Sequence, residues 1–126
     1  MNPRWLLLTT WLIIGCSNGI NRFEVSGTVT WKGEPVPAGE VLFEPDPDAQ
    51  HDGPQARAAI ENGRFRTPPG EGVVGGPHIV IVLGFDGQAI PESTIGRQIF
   101  PASESKHDFP MKAVVLDLNV PATERK

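Results

Sequence analysis

Short runs of alternating apolar and polar residues, separated by glycine and proline, are the feature that most constrains this chain. The clearest run is "FEVSGTVTWK", whose apolar side chains fall on one face: Phe23, Val25, Val29 and Trp31. A period of two residues is typical of a half-buried β-strand. The 14 glycines and 13 prolines follow no repeating period and supply the turns that many short strands require. The pattern therefore predicts an all-β domain.

Later segments carry further strand and turn signals. "EVLFEP" and "AVVLDLNV" each place alternate apolar residues on one face. "HIVIVLG" is almost entirely apolar and β-branched, which is typical of a central strand covered on both sides. Asn62-Gly63 is a strong two-residue hairpin signal because both positions tolerate positive φ. Together these segments predict an antiparallel Greek-key β-sandwich of six to seven strands over residues 23–120, with no disulfide.

The interval from Phe85 to Lys112 has no clear period, apart from a short edge strand expected near Gln98 to Phe100. Loops of this length in compact domains are often functional, so one hypothesis is that the segment contacts a partner. The alternative is that Ile99, Phe100 and Phe109 fold back and cap the core.

The first 16 residues have the parts of an export signal. Arg4 supplies the positive charge, and Trp5 to Ile14 form an apolar run about half as long as a membrane-spanning helix. The ending "IIGC" resembles the lipobox of bacterial lipoproteins, in which the cysteine is acylated and the signal is cut before it. The resemblance implies a signal peptide over residues 1–15 and a lipid attachment site at Cys16, the only cysteine. The alternative is an ordinary secretory signal with a buried cysteine.

This interpretation also predicts where the protein resides. Residues 16–22 would be the lipid anchor and tether, and residues 121–126 a polar tail. Stable anchoring requires more than one acyl chain, as the lipoprotein modification provides. We expect an exported, membrane-anchored lipoprotein of the periplasm or outer membrane.

The stretch "VSGTVTWKGEPVPAGEVLFEP" resembles the start of carboxypeptidase-regulatory-like, transthyretin-like β-sandwich modules. The matching residues are Gly27, Val29, Gly33, Pro35, Val36, Ala38, Gly39, Val41, Phe43 and Pro45. Downstream, "ENGRFRT" is similar to the hairpin of that family, and "VGGPHIVIV" to its P-G-x-Y-x-V-x-V strand entry, with His78 where an aromatic residue is common. The resemblance implies a fold and no particular activity.

Two segments loosely match ligand-binding motifs. "GEGVVG", Gly70 to Gly75, has the letters of a dinucleotide fingerprint, but a predicted strand follows it where the fingerprint requires a helix. Asp46, Asp48 and Asp52 are close together as calcium ligands would be, yet prolines disturb the spacing and no closing glutamate follows. A flexible connection and a solvated acidic loop are favoured, with a weak calcium site as the alternative.

The histidines do not predict a metal or catalytic site. His51, His78 and His107 are far apart in sequence and lack the paired spacing of zinc ligands. Ser105, His107 and Asp108 include the side-chain types of a hydrolytic triad, but triads form in space and not by adjacency. A polar turn before the last strand is the favoured interpretation.

The remaining observations bear on function. The net charge of −4 disfavours nucleic acid as a partner. Trp31 is placed on the core face or near its end, and the chain has no tyrosine, which disfavours an aromatic platform for sugars.

We therefore predict a non-enzymatic interaction or structural module with no catalytic residue, cofactor, metal or identified small-molecule substrate. It would be held at the membrane by its lipid anchor and would have an envelope protein as its partner. The alternative is a ligand-binding domain for calcium or envelope glycan.

Overall fold

The computed structural model describes residues 21–122, and these residues form an all-β domain, as predicted. The predicted signal peptide, Cys16 and the end of the polar tail lie outside the described residues. The strands are β1 (Val25–Trp31), β2 (Glu34–Pro35), β3 (Ala38–Pro45), β4 (Ala56–Glu61), β5 (Arg64–Arg66), β6 (Gly76–Phe85), β7 (Ser103–Phe109) and β8 (Val114–Val120). No helix among residues 21–122 is long and apolar enough to cross a membrane.

The strands form one sheet in the order β8-β1-β5-β4-β3-β6-β7, curled into a half-barrel. β1 and β8 are parallel, and every other pair is antiparallel. β8 occupies one edge of β1 along its whole length, so β5 and the short β2 share the opposite edge. Greek-key connectivity between two packed sheets stays a prediction.

The inner face of the curled sheet carries the core. The fully or nearly fully buried apolar residues include Val25, Val29, Val36, Val41, Phe43, Ala58, Ile60, Phe65, Val73, Val80, Val82, Phe100, Phe109, Leu118 and Val120. They come from alternate positions of seven strands and from three connecting segments, as a period of two requires. The predicted inward faces of β1, β3 and β8 are therefore confirmed.

The hairpin predicted at Asn62-Gly63 is also confirmed. Ile60 pairs with Phe65 and Glu61 with Arg64, which leaves a two-residue turn between β4 and β5. Both turn residues have positive φ, 51° at Asn62 and 77° at Gly63. This conformation matches the twist of the flanking strands, which is why Asn-Gly is favoured there.

Two sequence-based expectations need correction. The interval from Phe85 to Lys112 contains a complete strand, β7, and the expected edge strand near Gln98 is reduced to a single bridge to Phe85. Phe100 and Phe109 are buried and Ile99 packs against the core, so this part of the interval caps the core. In addition, the side chains of β6 alternate between buried and half-buried, so only one face of this strand is fully covered.

The two ends of the sheet are built from different parts of the chain. The chain enters β1 beside Val73, which pairs with Phe23 through two backbone hydrogen bonds. This end, which we call the tether end because the predicted tether precedes it in the sequence, also holds the start of β6 and the end of β7. β1 then runs six residue steps to Trp31, so the far end lies about 20 Å from Val25 at about 3.3 Å per residue.

Candidate functional site

Trp31 is the centre of an apolar cleft at the far end of the sheet. It is the last residue of β1 and faces inward, but it is only half-buried because the sheet ends there. Its indole ring packs against Phe100, with ring centroids 5.3 Å apart and planes tilted by 44°. The Lys32 ammonium lies 4.5 Å from the centroid of the indole, which is a favourable cation–π distance.

A tight turn builds one wall of the cleft. Trp31 pairs with Glu34, and the intervening Lys32 and Gly33 have φ values of 54° and 77°. The chain then continues as Pro35-Val36-Pro37. The amide of Val36 donates to the carbonyl of Val29 at 3.0 Å, and its side chain is buried. Because proline fixes φ, this wall is held rigidly.

The segment between β6 and β7 builds the other wall. Ile99 lies between two cavities, of about 290 and 260 Å³. The first extends along Phe100, Pro101 and Ser103 towards the end of β8, and the second extends along the Pro35–Pro37 wall. Trp31 and Lys32 border both cavities.

The lining determines what such a cleft can bind. The cavity beside Pro35–Pro37 is lined mostly by aliphatic, proline and indole groups, with Lys32 and Glu34 at its rim, whereas the cavity beside Phe100 and Ser103 exposes polar and apolar groups about equally. Each cavity is slightly smaller than the range of about 300–1,000 Å³ that is typical of small-molecule sites. The geometry therefore suits a polypeptide that inserts an apolar side chain beside the Pro35–Pro37 wall and places a more polar one on the other side of Ile99.

The three histidines, although far apart in sequence, meet at the tether end of the sheet. His78 pairs with His107 across β6 and β7, and the His51 and His78 rings lie 5.3 Å apart. His78 and His107 both pack against Phe109. The register of two strands and the fold of one loop bring them together, and no spacing in the sequence indicates this.

The cluster contains one unusual group. His78 is 1% exposed, and its Nδ1 lies 2.9 Å from the Gly76 carbonyl, so Nδ1–H donates. Nε2 is buried and has no hydrogen-bond partner among the described residues. Burial lowers the pKa of the His78 imidazole, the nearby His51 acts in the same direction, and the Gly76 hydrogen bond and Asp108 oppose them.

The described residues contain no group of three histidine, cysteine, aspartate or glutamate side chains arranged to hold a metal ion. His51 Nε2 donates to the Gly75 carbonyl at 2.7 Å. Asp46, expected in a solvated loop, is 5% exposed. Its carboxylate accepts from the Asp48 amide at 2.9 Å and lies 3.7 Å from the Lys106 ammonium. Asp52 accepts from the Gly53 amide.

The structure also shows where the residues of the two remaining motif matches lie. The Ser105 hydroxyl lies 3.1 Å from His107 Nε2, but Asp108 is the next residue of the same strand and therefore points to the opposite face of the sheet. Gly70 to Gly75 lead into β6 and not into a helix, so the geometry of a dinucleotide-binding fingerprint is not formed. Comparison of the chain with known protein families and with curated proteins found no match.

Proposed function

We propose that this chain is a lipid-anchored protein of the cell envelope whose β domain is a non-enzymatic interaction module. The Trp31 cleft would hold an apolar segment of another envelope protein. The anchor would be at Cys16, after removal of residues 1–15. The domain would be a Greek-key sandwich of the transthyretin-like, carboxypeptidase-regulatory-like type. The observation that carries the binding role is the apolar cleft around Trp31.

The position of the cleft supports this role. A lipid at Cys16 would tether the domain by the end where Phe23 pairs with Val73. Trp31 is at the opposite end of β1, about 20 Å away. An anchored domain would therefore present the cleft away from its own membrane, where proteins of the envelope are accessible.

Envelope glycan is the second candidate ligand, because Trp31 is half-buried and borders two cavities. A sugar ring would have to stack on the indole, and Lys32 already lies 4.5 Å from the centre of that ring. The aliphatic and proline lining of the cavity beside Pro35–Pro37 offers few hydrogen-bonding groups to sugar hydroxyls. Both features favour a polypeptide ligand.

Site-specific photo-crosslinking in intact cells tests the binding role. A photoreactive residue at Glu34, on the rim of the cleft, should give a discrete crosslinked protein. The same residue at Arg66, which is exposed on the opposite face of the sheet, should not. Adding Ile99→Ser should remove the crosslink, because it removes the apolar wall, while circular dichroism stays unchanged. Crosslinks of equal yield from Arg66, or crosslinks that persist with Ile99→Ser, would argue against the cleft.

The anchor is tested separately. Cys16→Ala should abolish incorporation of labelled fatty acid and leave the uncut precursor. If the variant is still cut and lipidated, the assignment of Cys16 is wrong.

Retention of the purified protein on envelope polysaccharide, lost on Trp31→Ala, would favour the glycan alternative.

A further inference from the structure

The outer face of β6 carries an apolar stripe in the middle of the sheet. The side chains of the stripe are Ile79, Ile81 and Leu83 of β6 and Leu42 of β3, all only half-buried. They are absent from the core cluster, which lies on the inner face. The sequence "HIVIVLG" is typical of a strand covered on both faces, but the described part of the chain fully covers only one of them.

Charged residues flank the stripe in ordered rows. In one row, Glu44 of β3 pairs with Ile79, and Ile79 pairs with Lys106 of β7. The side chains of Glu44 and Lys106 are therefore on opposite sides of the stripe at the same level. The Lys106 side chain is 68% exposed, so its contact with Asp46 leaves most of it accessible.

The next row has the opposite arrangement of charge. Arg57 of β4 pairs with Leu42, Leu42 pairs with Ile81, and Ile81 pairs with Glu104 of β7. The first row is thus acidic on the β3 side and basic on the β7 side. The second row is basic beyond β3 and acidic on the β7 side.

We propose that this stripe is a homodimer interface, in which the β6 strands of two copies pack face to face about a twofold axis parallel to the strands. Such an axis places β3 of one copy over β7 of the other. Glu44 then faces the Lys106 of the second copy, and Glu104 comes next to its Arg57. The β6 side chains of the two stripes cover each other at the usual sheet-to-sheet distance of about 10 Å, and Leu42 lies opposite the Glu104 of the second copy.

A second argument for an axis parallel to the strands depends on the proposed lipid anchor. With the axis parallel to the strands, the tether ends of both copies point the same way. Two chains anchored in one membrane can then associate without bending either tether back. An axis across the strands would point the tethers in opposite directions and would separate Glu44 from the Lys106 of the second copy.

The size of the stripe determines how tightly the two copies should associate. Four residue steps along β6, from Ile79 to Leu83, and three strands in width give a footprint of about 13 by 14 Å, or about 200 Å² for each copy. A stable complex usually buries about 800 Å² per partner, so the dimer should be weak. Anchoring two copies in one membrane raises their effective concentration and would favour the contact.

Charge reversal on the outer face of the sheet tests the interface; because Lys106 also pairs with the nearly buried Asp46, thermal unfolding of each variant checks that the fold is kept. The full chain in mild detergent is studied by sedimentation over a range of concentrations. Glu44→Lys and Lys106→Glu should each raise the dimer dissociation constant about tenfold, because two symmetry-related attractions become repulsions. The double variant should restore association. Glu71→Lys makes the same charge change in an exposed turn and should have no effect.

Crosslinking tests the same contact in the membrane. Ile81→Cys should give a crosslinked homodimer with a short bis-maleimide reagent, while Thr28→Cys, on the outer face of β1, should not. Chains that stay monomeric at every concentration and give no homodimer in membranes would overturn the proposal. Association that charge reversal does not affect, or a crosslink from the Ile81→Cys variant to a different protein or to lipid, would also overturn it. None of these outcomes depends on the Trp31 cleft, so the binding role is judged separately.

Discussion

Replacing His78 with phenylalanine should stabilise the domain, although His78 is among its most buried residues. The imidazole is 1% exposed and packs edge-on against Phe109, with ring centroids 5.3 Å apart. One ring nitrogen donates to the Gly76 carbonyl, whereas Nε2 has no partner among the described residues. A phenyl ring would keep the aromatic packing and remove the unsatisfied nitrogen.

The expected gain in stability follows from the unsatisfied Nε2 of His78. An unsatisfied buried polar group costs about 1–3 kcal/mol, and the lost bond to Gly76 offsets about 1 kcal/mol. A net gain of about 1 kcal/mol in the free energy of unfolding would raise the melting temperature by about 4–8 °C. His78→Leu, which is not aromatic but equally apolar, should lose the Phe109 contact and gain less.

The same group makes stability depend on pH. Burial lowers the pKa of His78 in the folded protein, whereas the unfolded chain keeps the ordinary value of about 6.5. Below that pH the unfolded state binds more protons, so the free energy of unfolding falls as the pH falls. The slope reaches about 1.4 kcal/mol per pH unit for one group and ends once the folded state is also protonated.

Thermal unfolding of the full chain in mild detergent, followed by circular dichroism between pH 5 and pH 8, measures both effects. His78→Phe should flatten the profile below pH 6.5, and His107→Phe, at a half-buried position on the neighbouring strand, should leave the slope in place. An unchanged slope in His78→Phe would refute the assignment of the pH dependence to His78. A loss of stability above pH 7 in both His78 variants would refute the cost assigned to Nε2.

Three further changes test the packing. Thr67→Val should cost about 1–3 kcal/mol in denaturant unfolding, because the buried Thr67 hydroxyl accepts from the Val25 amide at 3.1 Å. Gly27→Ala should weaken the β1–β8 pair, because a Cβ there would collide with the Leu116 carbonyl; slow hydrogen exchange retained in β8 would contradict this. Phe100→Ala should cost about 3–5 kcal/mol, and a cost below about 1 kcal/mol would show that the segment does not cap the core.

Much of the fold could be predicted because its signals are local. The period of two in β1 and β8 reports directly which side chains face the core. The Asn62-Gly63 turn sets the register of β4 and β5, because it permits two consecutive residues with positive φ. Each of these features depends on neighbouring residues alone, so a single sequence contains the whole signal.

β7 could not be predicted because its sequence, "SESKHDF", has almost no apolar alternation. It is at the edge of the sheet, where charged residues such as Lys106 discourage pairing with other chains. Its one large apolar anchor, Phe109, is its last residue. The hydrogen bonds to β6 make it a strand, and β6 is a distant segment of the chain.

Predicting the Trp31 cleft and the histidine cluster would likewise require knowing contacts between distant segments of the chain. The alternation in β1 correctly predicts Trp31 at the end of the core face, but its cleft depends on Ile99 and Phe100, which are distant in the sequence. The histidine cluster depends on the pairing of His78 with His107. Such contacts come from strand register between segments, and no local pattern in the sequence determines that register.

The His78 cluster, the Trp31 cleft and the outer apolar stripe lie at separate places on one sheet, so the role proposed for each can be tested separately. The tether end holds the buried His78, whose protonation would act on the packing of β6 against β7 and not on the cleft. The far end presents Trp31, and the outer face between them presents Ile81. Because β6 runs from the tether end to the far end, a parallel dimer would align two clefts side by side. The two copies would then offer adjacent sites to one elongated partner, and binding of that partner would favour dimerisation by mass action.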